Sequence, residues 1–472
     1  LSDIDVLVIG SGIAGLSAAI AARQAGAESV IIAEAAGGIG GASRLSSGLI
    51  VGAGTAMQAT AGIADSAELM FRDYMNANQW GLDGGVTRRL AAESGPTIDW
   101  LVSLGAEFHP TPVSGGYETQ PRCAVAIDEG QGLIDALARA ARNLDIDVAL
   151  GQRVDRLLVK DGVVVGAAVG DDELSASAVI IASGGFGSNP EKIAEFYPSL
   201  AKAGDWLWYV GEDGSHGDAI DLGQQVGARI TGHDTGCSML APGFTRSHET
   251  YLPGWLVIVD PDGQRFIAEN AHYSALDRQA VLRGGRFFVL FDSQALDPEA
   301  AKATPFYAGG SKAYPGRTER TSPNWNPDIL REMVAAGRIP FADSIAELAV
   351  AVGVPDDQLE ATIAEYNEGA QAGLDRMGKY PEFLRPLEKS PFYAAEIRLS
   401  EIVITGTGLQ IDPEARVLDA LGCPIPGLFA AGEATGGVIW PFYPSSGSSL
   451  GHGAAFGRVA GTNAAARSIA GA

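Results

Sequence analysis

Asp5-Val-Leu-Val-Ile-Gly-Ser-Gly-Ile-Ala-Gly15, closed nineteen residues later by Glu34, decides how this 472-residue chain is read. Residues 6–9 are apolar and uncharged, as a parallel strand buried on both faces should be. Gly10, Gly12 and Gly15 complete G-x-G-x-x-G. Residues 16–25 form an Ala-rich helical stretch stopped by Gly26, and residues 30–33 a second strand with Glu34 at its carboxyl end. Each part has a physical task. Gly10 permits a tight turn, Gly12 lets backbone approach a pyrophosphate, and Gly15 lets helix and strand pack closely. The helix N-terminus offers unpaired N–H groups to phosphate charge. The Glu34 carboxylate can accept hydrogen bonds from both hydroxyls of an adenosine ribose and would repel a 2′-phosphate. A lone glycine triplet says little; with strand, helix and acid in place it predicts a dinucleotide site.

Working outward, residues 37–48 read Gly-Gly-Ile-Gly-Gly-Ala-Ser-Arg-Leu-Ser-Ser-Gly. Such small residues let backbone run against an extended ligand. Helices are expected over 66–78, 86–104 and 132–143, and strands over 147–150, 153–160 and 163–169. The last two form a hairpin through Asp161-Gly162. Residues 178–182 are an apolar strand opening into Ser183-Gly-Gly-Phe-Gly187, which places Ser183 and Gly184 beside the same ligand. A helix starts near His216-Gly-Asp218. From about residue 231 aromatics, prolines and charges increase, with an irregular excursion over 311–326. The first texture returns at 402 with a strand that ends Ala430-Ala-Gly-Glu433, then a small-residue helix over 450–470. The expected fold is α/β. A Rossmann-like dinucleotide-binding domain of parallel sheet and helices, discontinuous in sequence (1–231 and 402–472), is interrupted by an inserted α+β second domain (232–401).

Composition bounds the partners. A formal charge of -24 argues against nucleic acid and anionic membrane surfaces. No apolar run reaches membrane-span length. Three scattered cysteines fit a reducing, cytoplasmic setting and give no disulfide framework or haem motif. No metal-ligand spacing appears among the six histidines, so no metal is expected. No basic, apolar leader precedes the first strand, though one removed ahead of Leu1 stays open. Oligomeric state is not legible.

The N-terminal unit, Ser183-Gly-Gly-Phe-Gly187 and Ala430-Ala-Gly-Glu433 together resemble the FAD-dependent fumarate reductase and 3-ketosteroid dehydrogenase superfamily, over essentially the whole chain. The resemblance implies FAD lying extended between the two domains. Gly10, Ser11, Gly12, Ala14 and Gly15 would meet the pyrophosphate, and Glu34 the ribose. Gly41, Ala42, Ser43, Ser47 and Gly48 would line the flavin side, and Val154 would present backbone to adenine. Gly432 ends the glycine-closed strand, Glu433 would reach the ribityl chain, and Ser449 and Leu450 the pyrimidine edge.

The same resemblance separates two branches. Arg265-Phe-Ile-Ala-Glu269 is followed by Tyr273, where fumarate reductases carry an arginine proton donor and ketosteroid dehydrogenases a tyrosine. The reductases also need a histidine before the last glycine-rich strand and an arginine in the final loop. Here those regions read Thr405-Gly-Thr-Gly-Leu409 and Trp440-Pro-Phe-Tyr-Pro-Ser-Ser-Gly-Ser-Ser449. Tyr443-Pro-Ser-Ser-Gly447 is similar to the Tyr-Pro-x-x-Gly of 3-ketosteroid Δ1-dehydrogenases. The hydroxyl of Tyr443 and the N–H of Gly447 would hold a ketone oxygen. Tyr273 would remove the α proton and Tyr117 would assist it. The β carbon would then give hydride to flavin N5. A helix-surface role for Tyr273 and a core-anchor role for Tyr443 are the plainer alternatives. The expected activity is desaturation of a cyclic ketone, either a 3-ketosteroid or a smaller terpenoid or cyclohexanone. The electron acceptor would be a quinone, a protein carrier or oxygen. A C=C reductase of an enone or unsaturated carboxylate, and an electron-transfer subunit of a complex, are the alternatives.

Overall fold

The computed structural model describes residues 4–248, 252–297 and 323–471. The chain divides into two compact units. The first comprises Leu1–Pro198, Gly211–Cys237 and Val403–Ala472, the second Ser199–Val210 and Ser238–Ile402. The sequence reading changes domain at 231/232 and 401/402. The units change at Cys237/Ser238 and Ile402/Val403, and Ser199–Val210 joins the second unit.

In the first unit five parallel strands lie in the order Pro424–Ala430, Asp172–Ile181, Ile4–Ile9, Val30–Glu34, Asp147–Leu150. Val6, Leu7 and Val8 have no solvent exposure, so the apolar run at 6–9 is a strand covered on both faces, and it extends back to Ile4. The hairpin Arg156–Lys160/Val163–Val169 turns through Asp161 and Gly162, both at positive φ (50° and 78°), as a tight two-residue hairpin requires. The strand expected at 178–182 begins at Asp172, because its polar first half pairs with that hairpin.

The first helix, Ile13–Gln24, starts three residues before the stretch read from sequence. Gly12 is its N-cap, and the Ile13 N–H is met by Ser43 Oγ at 3.1 Å. Helices Ala67–Ala77, Gly84–Ser103 and Glu129–Asn143 occupy the expected stretches, the last beginning three residues early. The helix Ser448–Gly471 lies against the first helix through small residues. A Cβ on Gly457 would stand 2.4 Å from Ala14 O, and one on Gly461 2.0 Å from Ala18 O.

Gly15 is the tightest of these approaches, since a Cβ there would sit 1.9 Å from Gly10 O. Gly15→Ala must therefore push the helix off the strand end. It is expected to cost roughly 3 kcal/mol and to release FAD, read as a lower melting temperature and loss of flavin absorbance on gel filtration.

The second unit is built on the strands Gly236–Ala241, Phe392–Thr405, Arg286–Asp292 and Val257–Val259, in that order. Leu348, Leu359 and Ile363 of helices Ile345–Val352 and Asp356–Ala372 close one core with Val257, Phe288 and Leu290. Most of the irregular excursion expected at 311–326 falls outside the described residues. The short turn Pro323–Trp325 and helix Pro327–Ala335 follow it. Among the described residues no helix is long and apolar enough to cross a membrane.

Candidate active site

Three strand ends make the cradle in the first unit. Gly10 N donates to Ala33 O (2.8 Å), Ala182 N to Ile9 O (2.8 Å) and Ala431 N to Ile181 O (3.0 Å). Gly10, Ser183 and Gly432 therefore leave the sheet side by side at its carboxyl edge, where open α/β sheets bind ligands. Gly10 has φ +101°, and a Cβ there would lie 2.5 Å from Ala182 O. At Gly12 a Cβ would meet only Ser43 Oγ (3.4 Å) and Gly40 O (3.8 Å), leaving its backbone accessible to a phosphate. Glu34 is held rather than merely nearby. Ser11 N and Ser11 Oγ donate to Oε2 (2.8 and 2.5 Å), and Ala36 N to Oε1 (2.7 Å). Gly40 N in turn donates to Ser11 Oγ (3.1 Å), which folds the 37–48 stretch back over the helix N-terminus.

In that stretch Gly41, Ala42 and Ser43 lie on the short turn Gly41–Leu45, and Ser47 precedes Gly48. Gly48 has φ +70°, and a Cβ on it would strike Glu129. Val154 is buried on the connection between Asp147–Leu150 and Arg156–Lys160. Ser183 Oγ is buried with no hydrogen-bond partner among the described residues. Gly184 beside it has φ +79° and space around it. Glu433 Oε1 accepts from Thr405 N (2.7 Å) and Thr405 Oγ1 (2.8 Å), yet burial still raises its carboxyl above the ordinary range. An orphaned hydroxyl, an open glycine backbone and a fixed carboxylate on one sheet edge fit a dinucleotide.

The loop after this cradle is fastened at successive points. Tyr443 is buried and stacked on Trp440 (5.4 Å between ring centres), and its Oη accepts from Ser449 N at 3.0 Å. Burial drives the phenol pKa well above its usual value, so the Tyr443 phenol is kept protonated, with an O–H able to donate. Tyr74 Oη bonds Ser448 Oγ (2.8 Å), Cys123 Sγ donates to Ser446 O (3.2 Å) and Ser445 Oγ to Glu118 Oε1 (2.9 Å). Tyr117 is brought to the same loop. Its N–H donates to Pro444 O (3.0 Å) and its half-exposed ring lies 5.3 Å from Phe442. Gly447 has φ +90°, and a Cβ there would lie 2.7 Å from the Leu49 backbone, so the fold itself needs glycine at that position. Leu450 follows Ser449 in the first turn of Ser448–Gly471.

Sequence reasoning missed Tyr74, Glu118 and Cys123 as supports, and Asn78, whose Nδ2 donates to Phe442 O (3.0 Å) and whose Oδ1 accepts from Phe442 N (2.8 Å). Apolar spacing placed Tyr74 on a buried helix face, but nothing local tied it to residue 448. Phenols, hydroxyls, a thiol, an amide and a carboxyl fasten 440–449. Nearby Arg122 is fully buried and taken up by Asp65 (2.7 Å) and Asp73 (2.5 Å). His452 is held neutral, since burial pulls it down to about 4.

In the second unit Tyr273 opens the helix Tyr273–Leu282 and is buried. Its N-cap is His272, whose Nδ1 accepts from Ser274 N (3.2 Å) and whose ring centre lies 4.0 Å from that of Tyr273. Arg265, eight residues earlier, is committed to structure. It pairs with Glu269 (2.8 Å) and Asp375 (2.6 Å) and lies over Tyr366, while Lys379 Nζ stands 3.3 Å from Glu269. Among the described residues no group of three His, Cys, Asp or Glu side chains could hold a metal.

A glycine-lined sheet edge, a carboxylate fixed at the end of the second strand and a buried phenol in the following loop suit a flavin-dependent oxidoreductase. The chain belongs to the FAD binding domain family, whose model matches residues 5–450. It is 31% identical to a probable fumarate reductase of Shewanella frigidimarina, over 98% of this chain and 75% of that protein. It is 27% identical to 4-oxocyclohexanecarboxylate 2-dehydrogenase of Sinomonas cyclohexanicum, over 100% and 93%. Among solved structures, 3-ketosteroid-Δ4-(5α)-dehydrogenase from Rhodococcus jostii superposes with a TM-score of 0.78 at 28% identity, over 98% of both chains. The protein is thus an FAD-dependent oxidoreductase acting on CH–CH groups. It works on a small molecule and exchanges electrons with a second partner.

Proposed function

We propose that the protein introduces an α,β double bond into a cyclic ketone, either a 3-ketosteroid or a smaller terpenoid or cyclohexanone. The observation that carries this reading is the Tyr443 phenol, buried, neutral and fastened to the start of Ser448–Gly471 by Ser449 N. Removing a proton next to a ketone moves charge onto oxygen. A fixed donor placed for that oxygen stabilises the transition state more than the ground state. Tyr443 Oη–H and Gly447 N–H are the donors in this reading, Tyr273 takes the α proton, and Tyr117 stands beside the donor loop in support. FAD supplies the acceptor for the hydride that leaves the β carbon. Its contacts are those assigned to Gly10, Ser11, Gly12, Ala14, Gly15, Glu34, Gly41, Ala42, Ser43, Ser47, Gly48, Val154, Ser183, Gly184, Gly432, Glu433, Ser449 and Leu450. The electrons leave to a quinone, a protein carrier or oxygen. A cytoplasmic setting belongs to the same proposal, in keeping with three cysteines that form no disulfide.

A second reading, reduction of C=C in an enone or unsaturated carboxylate, draws on the 31% identity to a probable fumarate reductase. It asks for cations on the substrate, because a desolvated carboxylate needs partners. Arg265 and Arg122 are each already engaged by two carboxylates. The test is anaerobic. The oxidised holoenzyme is mixed with saturated steroid, terpenoid and simple cyclic ketones, and the reduced holoenzyme with enones and fumarate. Bleaching by a saturated ketone is the expected result. Reoxidation by fumarate with no bleaching by any ketone would replace this reading with the second.

A further inference from the structure

Two segments of the first unit border the strand ends that make the cradle. One is the turn Gly41–Leu45 with Gly40 before it. Gly40 N donates to Ser11 Oγ (3.1 Å), and Ser43 Oγ accepts from Ile13 N (3.1 Å), so this turn is fastened to the helix N-terminus. The other segment is 212–217, laid along the stretch that follows Ser183. Ser188 N donates to Ser215 O (3.1 Å), Ser188 Oγ to Glu212 O (3.1 Å), Asn189 Nδ2 to His216 O (3.1 Å) and Gly217 N to Gly185 O (3.0 Å). At its far end Asp218 pairs with Arg153 (2.5 Å), the residue before Val154. The two segments are joined by an ion pair. Arg44 Nη2 donates to Glu212 Oε2 at 2.7 Å, with the side chains 39% and 25% exposed.

These contacts make a closed circuit of chain. It runs from Gly10 to Ser11 and Gly40, through Arg44 and Glu212 to Ser188, and back along the chain to Ala182. There it closes, since a Cβ on Gly10 would stand 2.5 Å from Ala182 O. Ser183 Oγ, buried with no partner among the described residues, and Gly184, with open space around it, both belong to the circuit. Gly12, whose backbone is open to a phosphate, is next to it in sequence and has Gly40 O and Ser43 Oγ as its neighbours. We propose that Arg44 and Glu212 form a clasp on bound FAD, closing the circuit over the cofactor and parting when FAD leaves. The clasp deepens the assignment of FAD to this cradle and does not rest on the ketone-desaturation reading. Its effect has two sources. A pair formed across 168 positions restrains two segments at once, where a pair one turn apart on a helix restrains only itself. And Glu212 without Arg44 would stand uncompensated beside an anionic pyrophosphate, where like charges repel.

The experiment passes the holoenzyme through gel filtration at low ionic strength after timed dilution and reads the flavin absorbance left on the protein. Arg44→Gln and Glu212→Gln should each release FAD roughly fivefold faster, the scale of one partly exposed ion pair. Arg44→Glu sets two carboxylates together and should release it faster still. Combining Arg44→Glu with Glu212→Arg should return the rate toward that of the wild type, as a directly coupled pair requires. Arg44→Lys keeps the charge and should stay close to the wild type. Added salt should speed release from the wild type more than from Glu212→Gln, because screening weakens the pair. Faster release from Arg44→Gln with unchanged or slower release from Glu212→Gln would mean that Arg44 holds a phosphate directly, and would overturn the clasp. Wild-type release from both glutamine variants would also overturn it, leaving an ordinary surface pair and the FAD assignment intact.

Discussion

Tyr443→Phe is expected to slow flavin bleaching by a saturated cyclic ketone by 10²- to 10³-fold, the usual loss for one oxyanion donor. FAD should stay bound, because the cradle at Gly10, Ser183 and Gly432 lies on strand ends that the phenol does not form. The ring, stacked on Trp440, remains. The hydroxyl goes, and with it the acceptor for Ser449 N. Leaving that N–H without a partner should cost about 1–3 kcal/mol of stability, a loss that thermal unfolding would resolve. Rapid bleaching in Tyr443→Phe would mean that the ketone oxygen is held by another group. The sign of the phenol's perturbation matters here. Burial disfavours phenolate at 443 despite the hydrogen bond from Ser449, so increasing alkalinity should not convert this donor into a base within the working range.

Arg265→Met should have the largest effect on stability, a loss of about 3–5 kcal/mol, typical of removing one partner from a buried ion pair. The variant leaves Glu269 and Asp375 with Lys379 as their remaining buried cation. Chemical denaturation of the holoenzyme is the measurement. A change under 1 kcal/mol would mean that water reaches these carboxylates. The pH dependence follows by linkage. Burial pushes Glu269 up, but Lys379 and Arg265 hold it below its ordinary range. Its contribution is present above the unfolded carboxyl pKa and is lost as pH falls through the depressed folded value. Lys379 has the same sign in a more alkaline window, pulled by burial from 10.5 to about 8. Folding expels its proton between those values, so stability from this group rises with pH across that window.

The strands at 147–150 and 163–169 were readable to the residue because their alternation and their turn are local properties. The first helix was read late, since Gly12 and Gly15 mask its start with poor helix formers. The cap that fixes that start, Ser43 Oγ on Ile13 N, comes from thirty residues away. Glycines and an acid at fixed offsets made the cofactor cradle legible, each with its own steric or hydrogen-bonding reason. The supports of Tyr443 were not. Tyr74 meets Ser448 across 374 positions, Glu118 meets Ser445 across 327, and Cys123 meets Ser446 across 323. No periodicity encodes such pairs. Arg44 and Glu212 were passed over for the same reason, because a charge in a loop reads as solvated until its partner, 168 positions away, is seen against it.

Small residues clamp the opening helix beneath the helix Ser448–Gly471, backbone against backbone. Residues 13–24 and 448–471 must therefore both have left the ribosome before the dinucleotide turn can be locked. Until then the helix Ile13–Gln24 waits with an apolar flank uncovered. Messages cut short before residue 448 should yield polypeptide that stays colourless, however much flavin the cell provides.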